Sequence, residues 1–362
     1  MKIDRIEVQP WDIPMYAPYR SAQRTTTVAH NILVTLFLES GVIGYGESAP
    51  ARYVTEETPG SVLRAVNLAA SRLVGETAPR AAELISENEH LIPAPGARSA
   101  LEMALYDAMA RAAGVPLYRL MGGDADSPVV RATDISIPLL PPGIVAERAA
   151  DAASRGFRTL KLKVGGGDGE DAARVRAVAD AAPDALLRLD GNQAFSAHSA
   201  VEFVEQVGEL VPRIQLLEQP TRAGDDDALK FVQDHVPFPV FADESCHGAE
   251  DARRLLEAQA CRGVVLKLAK SGLTGTYETA CVAAEAGGLC LFGCMMESHI
   301  GIAAALHLTL ALGESVVPLL DLDGHLLVDD RALVSGGPQQ DGETMRVDPE
   351  QPGLGVSVRT VI

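Results

Sequence analysis

Lysine is scarce in this chain: only six of the 31 basic side chains are Lys, and Lys161, Lys163 and Lys267 lie at the ends of short apolar runs. Arginine stays protonated in proteins, whereas a desolvated lysine can release its proton near neutral pH. In Thr159-Leu-Lys161-Leu-Lys163 the strand period of two points both lysines to one face and Leu160 and Leu162 to the other. Asp190, Glu218 and Asp243 end three further runs, LLRLD, IQLLE and VFAD. Three carboxylates converging from adjacent strands with no basic residue among them would repel one another unless a hard dication sat between them. No Cys/His cluster of the zinc type accompanies them, so Mg²⁺ is expected, or Mn²⁺. A substrate carboxylate held on that ion would place its α-carbon between Lys163 and Lys267, an arrangement suited to 1,1-proton transfer. An α-proton beside a carboxylate is too weakly acidic for any side chain acting alone. The ion and Lys161 must therefore stabilise the enediolate, while one lysine removes the proton and the other returns it to the opposite face.

Such residues need a scaffold that brings strand ends together. From Val129 onward, apolar runs rich in Val, Leu and Ile end at Lys163, Asp190, Glu218, Asp243, Lys267, Cys294 and Asp321, 24 to 28 residues apart. Each interval holds a turn and a helical segment, one βα unit. With an earlier strand at Arg131 to Ile137 there are eight, and no eighth helix follows Asp323. The expected fold is an α/β (β/α)7β TIM-like barrel over residues 126–324, whose catalytic groups sit at the C-terminal strand ends. A doubly wound open sheet also alternates strands and helices, but it gathers ligands at one switch point, and here nearly every strand ends in a charge. No GxGxxG or Walker sequence is present.

Residues 1–125 read as an α+β capping domain. Two strands, Ile3 to Ile13 and Asn31 to Glu39, are joined by a polar loop from Tyr16 to Ala29, and helices follow over Thr58–Leu73, Arg80–Glu87 and Ala97–Ala113. Residues 325–362 are expected to return to this domain and complete it. The chain has 362 residues, 47% apolar and 22% charged, enough for a large core, and a formal charge of −18 argues against nucleic acid or an anionic membrane as partner. No signal-peptide core opens the sequence, and five cysteines without a CxxC pair suit a reducing cytoplasm. Ile300 to Leu312 is too short to span a membrane and reads as a buried helix.

Taken together, TLKLKVG, LRLDGNQAF, LLEQP, FADES, VVLKLAKSG, GCMMES and LLDLDG resemble the enolase superfamily in its muconate-lactonizing branch, and within that branch the dipeptide epimerases. The resemblance implies Lys163 and Lys267 as the acid/base pair, Asp190, Glu218 and Asp243 as Mg²⁺ ligands, and Lys161 on the substrate carboxylate. It also gives Asp321 and Asp323 a role that their chemistry supports, since two carboxylates on one face of the last strand suit the ammonium of a dipeptide N-terminus. Cys294 and Ser136 match positions that line the pocket. Arg20 and Arg24, on the polar loop, would meet the C-terminal residue's side chain, and a cation there suits a carboxylate: L-Ala-D/L-Glu, as in murein-peptide recycling. Two departures from the family pattern are Ser271-Gly-Leu273, where a Gly pair is usual, and His325 after DLDG. His299 and His307 read as a helix-start and a core histidine. Other reactions of the branch reuse the lysine pair, namely o-succinylbenzoate synthesis, N-acylamino acid racemisation and muconate cycloisomerisation, and a non-catalytic carboxylate-binding protein would keep the scaffold. The expected partner is a small dipeptide, and the one protein partner the reading admits is a second copy in a homo-oligomer.

Overall fold

The computed structural model describes residues 1–87, 92–124 and 129–359. The expected boundary between residues 125 and 126 lies outside the described residues. The N-terminal sheet is a three-stranded antiparallel meander, β1 (Ile3–Arg20), β2 (Thr25–Leu38) and β3 (Ile43–Ser48). The loop expected over Tyr16 to Ala29 is instead a long hairpin, paired out to Arg20↔Thr25 with a register shift between Pro14 and Tyr19. The cause lies in Thr25-Thr-Thr-Val28, whose β-branched side chains favour a pleated strand. Only Ser21 to Arg24 turn, closed by the Ser21 amide donating to the Arg24 carbonyl at 2.9 Å.

The helices α1 (Arg52–Thr55), α2 (Pro59–Leu73), α3 (Ala78–Glu87), α4 (Pro95–Ala113) and α5 (Leu117–Leu120) complete the cap. Thr58 and Ser61 form a capping box ahead of α2, with Pro59 at its first position. Gly114, in the left-handed conformation at φ 69°, stops α4. α4 is buried on nearly all sides, between β3 and the barrel. Gly44 and Gly46 permit this packing, because a Cβ on either would collide with the Ala104 or Ala100 carbonyl oxygen of α4.

The strand expected over Arg131 to Ile137 divides in two. β4 (Val130–Ala132) leaves the barrel for a small antiparallel sheet, and only β5 (Ile135–Ile137) enters it. The barrel continues through β6 (Thr159–Lys163), β7 (Leu186–Asp190), β8 (Ile214–Glu218), β9 (Val240–Ala242), β10 (Gly263–Leu266), β11 (Leu289–Gly293) and β12 (Leu319–Asp321), each paired in parallel with the next. Between them run α6 (Pro142–Ser154), α7 (Asp171–Ala181), α8 (Ala197–Gln206), α9 (Asp226–His235), α10 (Ala249–Glu257), α11 (Leu268–Glu285) and α12 (His299–Leu312), and the short α13 (Gly324–Leu327) follows β12. Side chains stitch β12 to the segment before β5: the Leu322 amide donates to Thr133 Oγ1 at 2.8 Å, and Arg188 Nη1 reaches both Asp134 Oδ2 and the Leu320 carbonyl.

Leu216, Phe241, Val265 and Leu291 plug the barrel's interior beneath the strand ends, so polar chemistry is confined to the mouth. The C-terminal segment forms β13 (Val334–Gly336), β14 (Gln339–Asp341), β15 (Thr344–Arg346) and β16 (Val356–Val358); β15 pairs with both β14 and β4, and β13 with β16. It meets the cap helices through Leu117, whose amide donates to the Gly353 carbonyl, and through Arg111, which reaches the Val356 carbonyl. Among the described residues no helix is long and apolar enough to cross a membrane.

Candidate active site

Register places the chemistry side by side: Lys163 of β6 pairs with Asp190 of β7, and Asp190 with Glu218 of β8. Lys161 lies one pleat deeper on the same face, while Leu160 and Leu162 join the outer core. Lys161 Nζ stands 3.1 Å from Asp190, 2.8 Å from Glu218 and 2.6 Å from Asp321. Lys163 Nζ is 2.5 Å from Asp190 Oδ2, and Lys267 Nζ is 2.7 Å from Asp243 Oδ2. With β6 and β10 four strands apart in an eight-stranded ring, the two lysines approach from opposite walls.

The expectation that no basic residue lies among the carboxylates is therefore overturned. Each carboxylate is ion-paired, and Asp243 holds a second cation, Lys270, 2.6 Å from its Oδ1. Yet acid still predominates in the mouth, where Asp134, Glu244, Asp321, Asp323 and Glu297 add five buried carboxyl groups. Burial first, and repulsion between them second, raises several of these carboxyl groups. Burial and the neighbouring Asp190 charge push Glu218 up to about 8; burial and Asp243 push Glu244 up to about 7. Burial would also raise Asp190, but Lys163 and Lys161 outweigh it and hold that carboxyl below its ordinary range.

The cap roofs this mouth. One cavity of about 250 Å³ is lined by Lys161, Lys163, Asn192, Asp243, Lys267, Ser136, Cys294, Asp321 and Asp323 from the barrel, and by Tyr19, Arg24 and Tyr53 from the cap. Arg24 thus reaches the cavity, its guanidinium 5.1 Å from the Tyr53 ring centroid, whereas Arg20 does not line it. Gln23 beside it donates to the Asn192 carbonyl at 2.6 Å, tying the hairpin tip to the barrel. Asp321 ends β12, but Asp323 lies past the strand, at the start of α13. The Ser136 amide donates to Asp323 at 2.6 Å and the Cys294 thiol lies 3.9 Å from it, so these two residues converge on one carboxylate. Burial and Asp321 raise Asp323 to about 6.

Sequence reasoning missed several groups here. Lys270 appears in the same VVLKLAKSG as Lys267, and helical spacing after the strand was the available signal. Asn192 lies two residues after Asp190 and Glu244 directly follows Asp243, and the buried atoms Asn192 Oδ1 and Glu244 Oε2 lack hydrogen-bond partners. Glu47 had no sequence signal. From β3 it accepts bonds from Asn31, from the Ser298 amide and hydroxyl and from the Gly301 amide, and Asn31 also donates to the Met296 carbonyl. This buried network clamps the cap to the Cys294–Ser298 segment of the cavity wall. His325, by contrast, is buried against the His299 ring and does not line the cavity. Ser271-Gly-Leu273 has its own reason: Gly272 is left-handed at φ 75°, and a Cβ there would collide with the Glu102 carboxylate. His299 opens α12 and bonds Asp330, while His307 is buried and accepts from the Tyr118 amide.

An oxygen-only donor set with unpartnered buried oxygens fits a hard divalent ion at Asp190, Glu218 and Asp243. As positioned, the carboxylates turn to their lysines, and among the described residues no three acidic, His or Cys side chains already surround one point.

Residues 5–122 match the family model for the mandelate racemase/muconate lactonizing enzyme N-terminal domain, and residues 144–361 that of the enolase C-terminal domain-like family. The chain is 35% identical over 364 residues to the hydrophobic dipeptide epimerase of Enterococcus faecalis, covering 99% of this chain and 100% of that protein. It is 32% identical to the L-Ala-D/L-Glu epimerase of Clostridium acetobutylicum, covering 98% and 99%. The E. faecalis dipeptide epimerase in complex with Mg and L-Leu-L-Tyr superposes with a TM-score of 0.91 at 32% identity, over 99% of this chain and 100% of that one. Over both its domains, the chain belongs to the enolase superfamily, in the mandelate racemase/muconate-lactonizing branch that includes the dipeptide epimerases.

Proposed function

We propose that the protein is a Mg²⁺-dependent dipeptide epimerase that inverts the α-carbon of the C-terminal residue. The observation that carries this reading is one roofed cavity in which Lys163 and Lys267 face each other across the barrel while Asp321 and Asp323 stand beside them. Asp190, Glu218 and Asp243 would hold the ion, which when bound supplies an anchor and a counter-charge for the substrate carboxylate. Lys161 contributes a fixed positive charge beside that carboxylate. One of Lys163 and Lys267, as the amine, takes the α-proton at its Nζ; the other, as the ammonium, delivers a proton from the opposite side, so the configuration inverts. The substrate's ammonium faces Asp323 and Asp321, and this favours a free dipeptide over an N-acyl amino acid. The cap excludes water during the exchange.

For the side chain being inverted, Arg24 at the cavity wall favours a carboxylate, and L-Ala-D/L-Glu is the substrate we assign, with murein-peptide recycling as its setting. The free state of all five cysteines among the described residues accords with a cytoplasmic enzyme. A dipeptide library incubated with Mg²⁺ in D₂O and read by mass spectrometry tests the assignment. Incorporation into L-Ala-L-Glu, lost with Arg24→Ala, is expected. Incorporation into no dipeptide would overturn the activity, and a preference for apolar or cationic residues would overturn the substrate.

A further inference from the structure

Between β9 and β10 the barrel opens just below its mouth. Their parallel ladder ends at Ala242↔Val264, whereas β10 and β11 stay paired to Leu266↔Phe292. Asp243 and Lys267, whose side chains meet at 2.7 Å, therefore lack the backbone pairing that sets Lys163 against Asp190. Lys270 fills the gap. From the first turn of α11 its Nζ donates to the Asp243 carbonyl at 2.6 Å and to the Val265 carbonyl at 2.9 Å, one acceptor on each side of the opening. The side chain is buried and has no part in the proton transfer above.

We propose that Lys270 is a positioning residue, a staple that replaces the missing ladder and fixes Asp243 against Lys267. The inference rests on the proposed reading for the ion and the proton, but not for the staple. Three bonds close a ring: the Lys270 amide donates to the Lys267 carbonyl at 3.1 Å, Lys270 Nζ to the Asp243 carbonyl, and Lys267 Nζ to Asp243 Oδ2. Neither Asp243 nor Lys267 can shift without breaking one of them. On its other flank the Asp243 amide donates to Gln219 Oε1 at 2.9 Å, so side chains hold this backbone from both directions.

Lys270 Nζ also stands 2.6 Å from Asp243 Oδ1, yet that oxygen receives no aligned hydrogen bond. The grip is on the main chain, and it leaves Oδ1 to the ion that Asp243 would hold. Charge and grip have opposite consequences for that ion. A cation beside a ligand repels a divalent ion, so deleting the charge alone would tighten Mg²⁺. Deleting the staple leaves two buried carbonyls without a donor, and the strand ends must move to satisfy them. Asp243 would then be misplaced, and Lys267 with it.

Lys270→Met keeps the stem and removes the donors, whereas Lys270→Arg keeps the charge but exchanges a compact head for a planar fork. Mg²⁺ titrated calorimetrically into the metal-free full chain should bind Lys270→Met about tenfold or more weakly than wild type. Lys270→Arg should lose about threefold or more. At saturating Mg²⁺, kcat for L-Ala-L-Glu should fall about 10²-fold in Lys270→Met and about tenfold in Lys270→Arg, with KM within about threefold, because the base is displaced and the ammonium site is not. Unchanged or tighter Mg²⁺ binding in Lys270→Met overturns the proposal and reduces Lys270 to a buried charge, as do wild-type affinity and kcat in Lys270→Arg. Should Lys270→Met fail to fold, the Arg variant decides. Backbone amide exchange over residues 240–246 and 263–267, read without metal or substrate, should quicken in both variants, and unaltered exchange also overturns the staple. A wild type that binds no Mg²⁺ or epimerises no dipeptide would sink the proposed activity, while the exchange arm still decides the staple.

Discussion

Replacing either lysine by Ala separates the two halves of the proposed reaction. Lys163 and Lys267 stand on strands four apart around the barrel, each anchored to its own carboxylate at 2.5 and 2.7 Å, so neither ammonium can cross to the other's side of a bound α-carbon. A positioned general acid or base contributes about 10²–10⁴-fold, and epimerisation needs both in sequence. Each variant should therefore lose about 10³-fold or more of its epimerisation rate in both directions. The α-proton on the side of the surviving lysine remains within reach. Exchange of that proton should fall less, by about tenfold, because Lys161 still provides a positive charge beside the site. The assay is ¹H NMR in D₂O on L-Ala-L-Glu and L-Ala-D-Glu separately. Lys163→Ala should wash deuterium into one epimer without inverting it, and Lys267→Ala into the other. A single-lysine variant that epimerises at near the wild-type rate would refute the two-base account, as would both variants exchanging the same epimer.

Chelation should abolish activity and Mg²⁺ should restore it, with Asp190→Asn and Glu218→Gln each lowering kcat/KM by orders of magnitude; full turnover in demetallated protein removes the ion from the reaction. Asp323→Asn should weaken free dipeptides about tenfold or more relative to N-acetylated analogues, read as the ratio of their inhibition constants, and equal losses would make Asp323 structural. His307 is buried and neutral, lowered to about 3 by desolvation. The unfolded chain thus binds a proton that the folded one refuses between that value and about 6.5, and stability falls as the pH falls through this window. Urea melts should show His307→Gln losing roughly 2 kcal/mol less than wild type between pH 6.5 and 5, and identical slopes contradict this. Gly46→Ala should lower the midpoint of a thermal melt by several degrees, because its methyl would strike the Ala100 carbonyl oxygen of α4; an unchanged midpoint would show that the helix can retreat.

The barrel was legible because its period is imposed by geometry. One βα unit takes a nearly constant length of chain, and a polar residue closing an apolar run marks the mouth, so Lys163, Asp190, Glu218, Asp243 and Lys267 could be located without coordinates. The β1–β2 hairpin was misjudged because Tyr16 to Ala29 is polar, and polarity outweighed the β-branched Thr25 to Val28. The strand at Arg131 to Ile137 divides because Thr133 and Asp134 turn inward to bond Leu322 and Arg188, contacts to residues far along the chain. The ion pairing of the carboxylates was illegible for the same reason. Lys161 and Asp321 are 160 positions apart, and no local pattern announces that they touch at 2.6 Å.

That pairing bears on why so much charge is buried in one place. Removing ions from water is expensive, and a buried pair often does no better for stability than well-packed apolar side chains of the same volume. The mouth holds Lys161, Lys163, Lys267, Lys270 and Arg188 against a larger number of carboxyl groups, above an interior plug that is wholly apolar. A sequence under pressure for stability alone would extend the plug upward. The cluster is instead supported from outside itself: the Glu47 network ties the cap to the loop after β11, and Gln23 ties the hairpin tip to the loop after β7. Those ties close the roof over the lysines, and the roof keeps water from weakening their field. Cap and barrel therefore line one cavity, in which the lysines proposed to transfer the proton come from the barrel and Arg24 and Tyr53 of the cap would meet the variable part of the proposed substrate. Changes of substrate within this scaffold should then fall on the cap-side lining, leaving the strand-end lysines and carboxylates as they are.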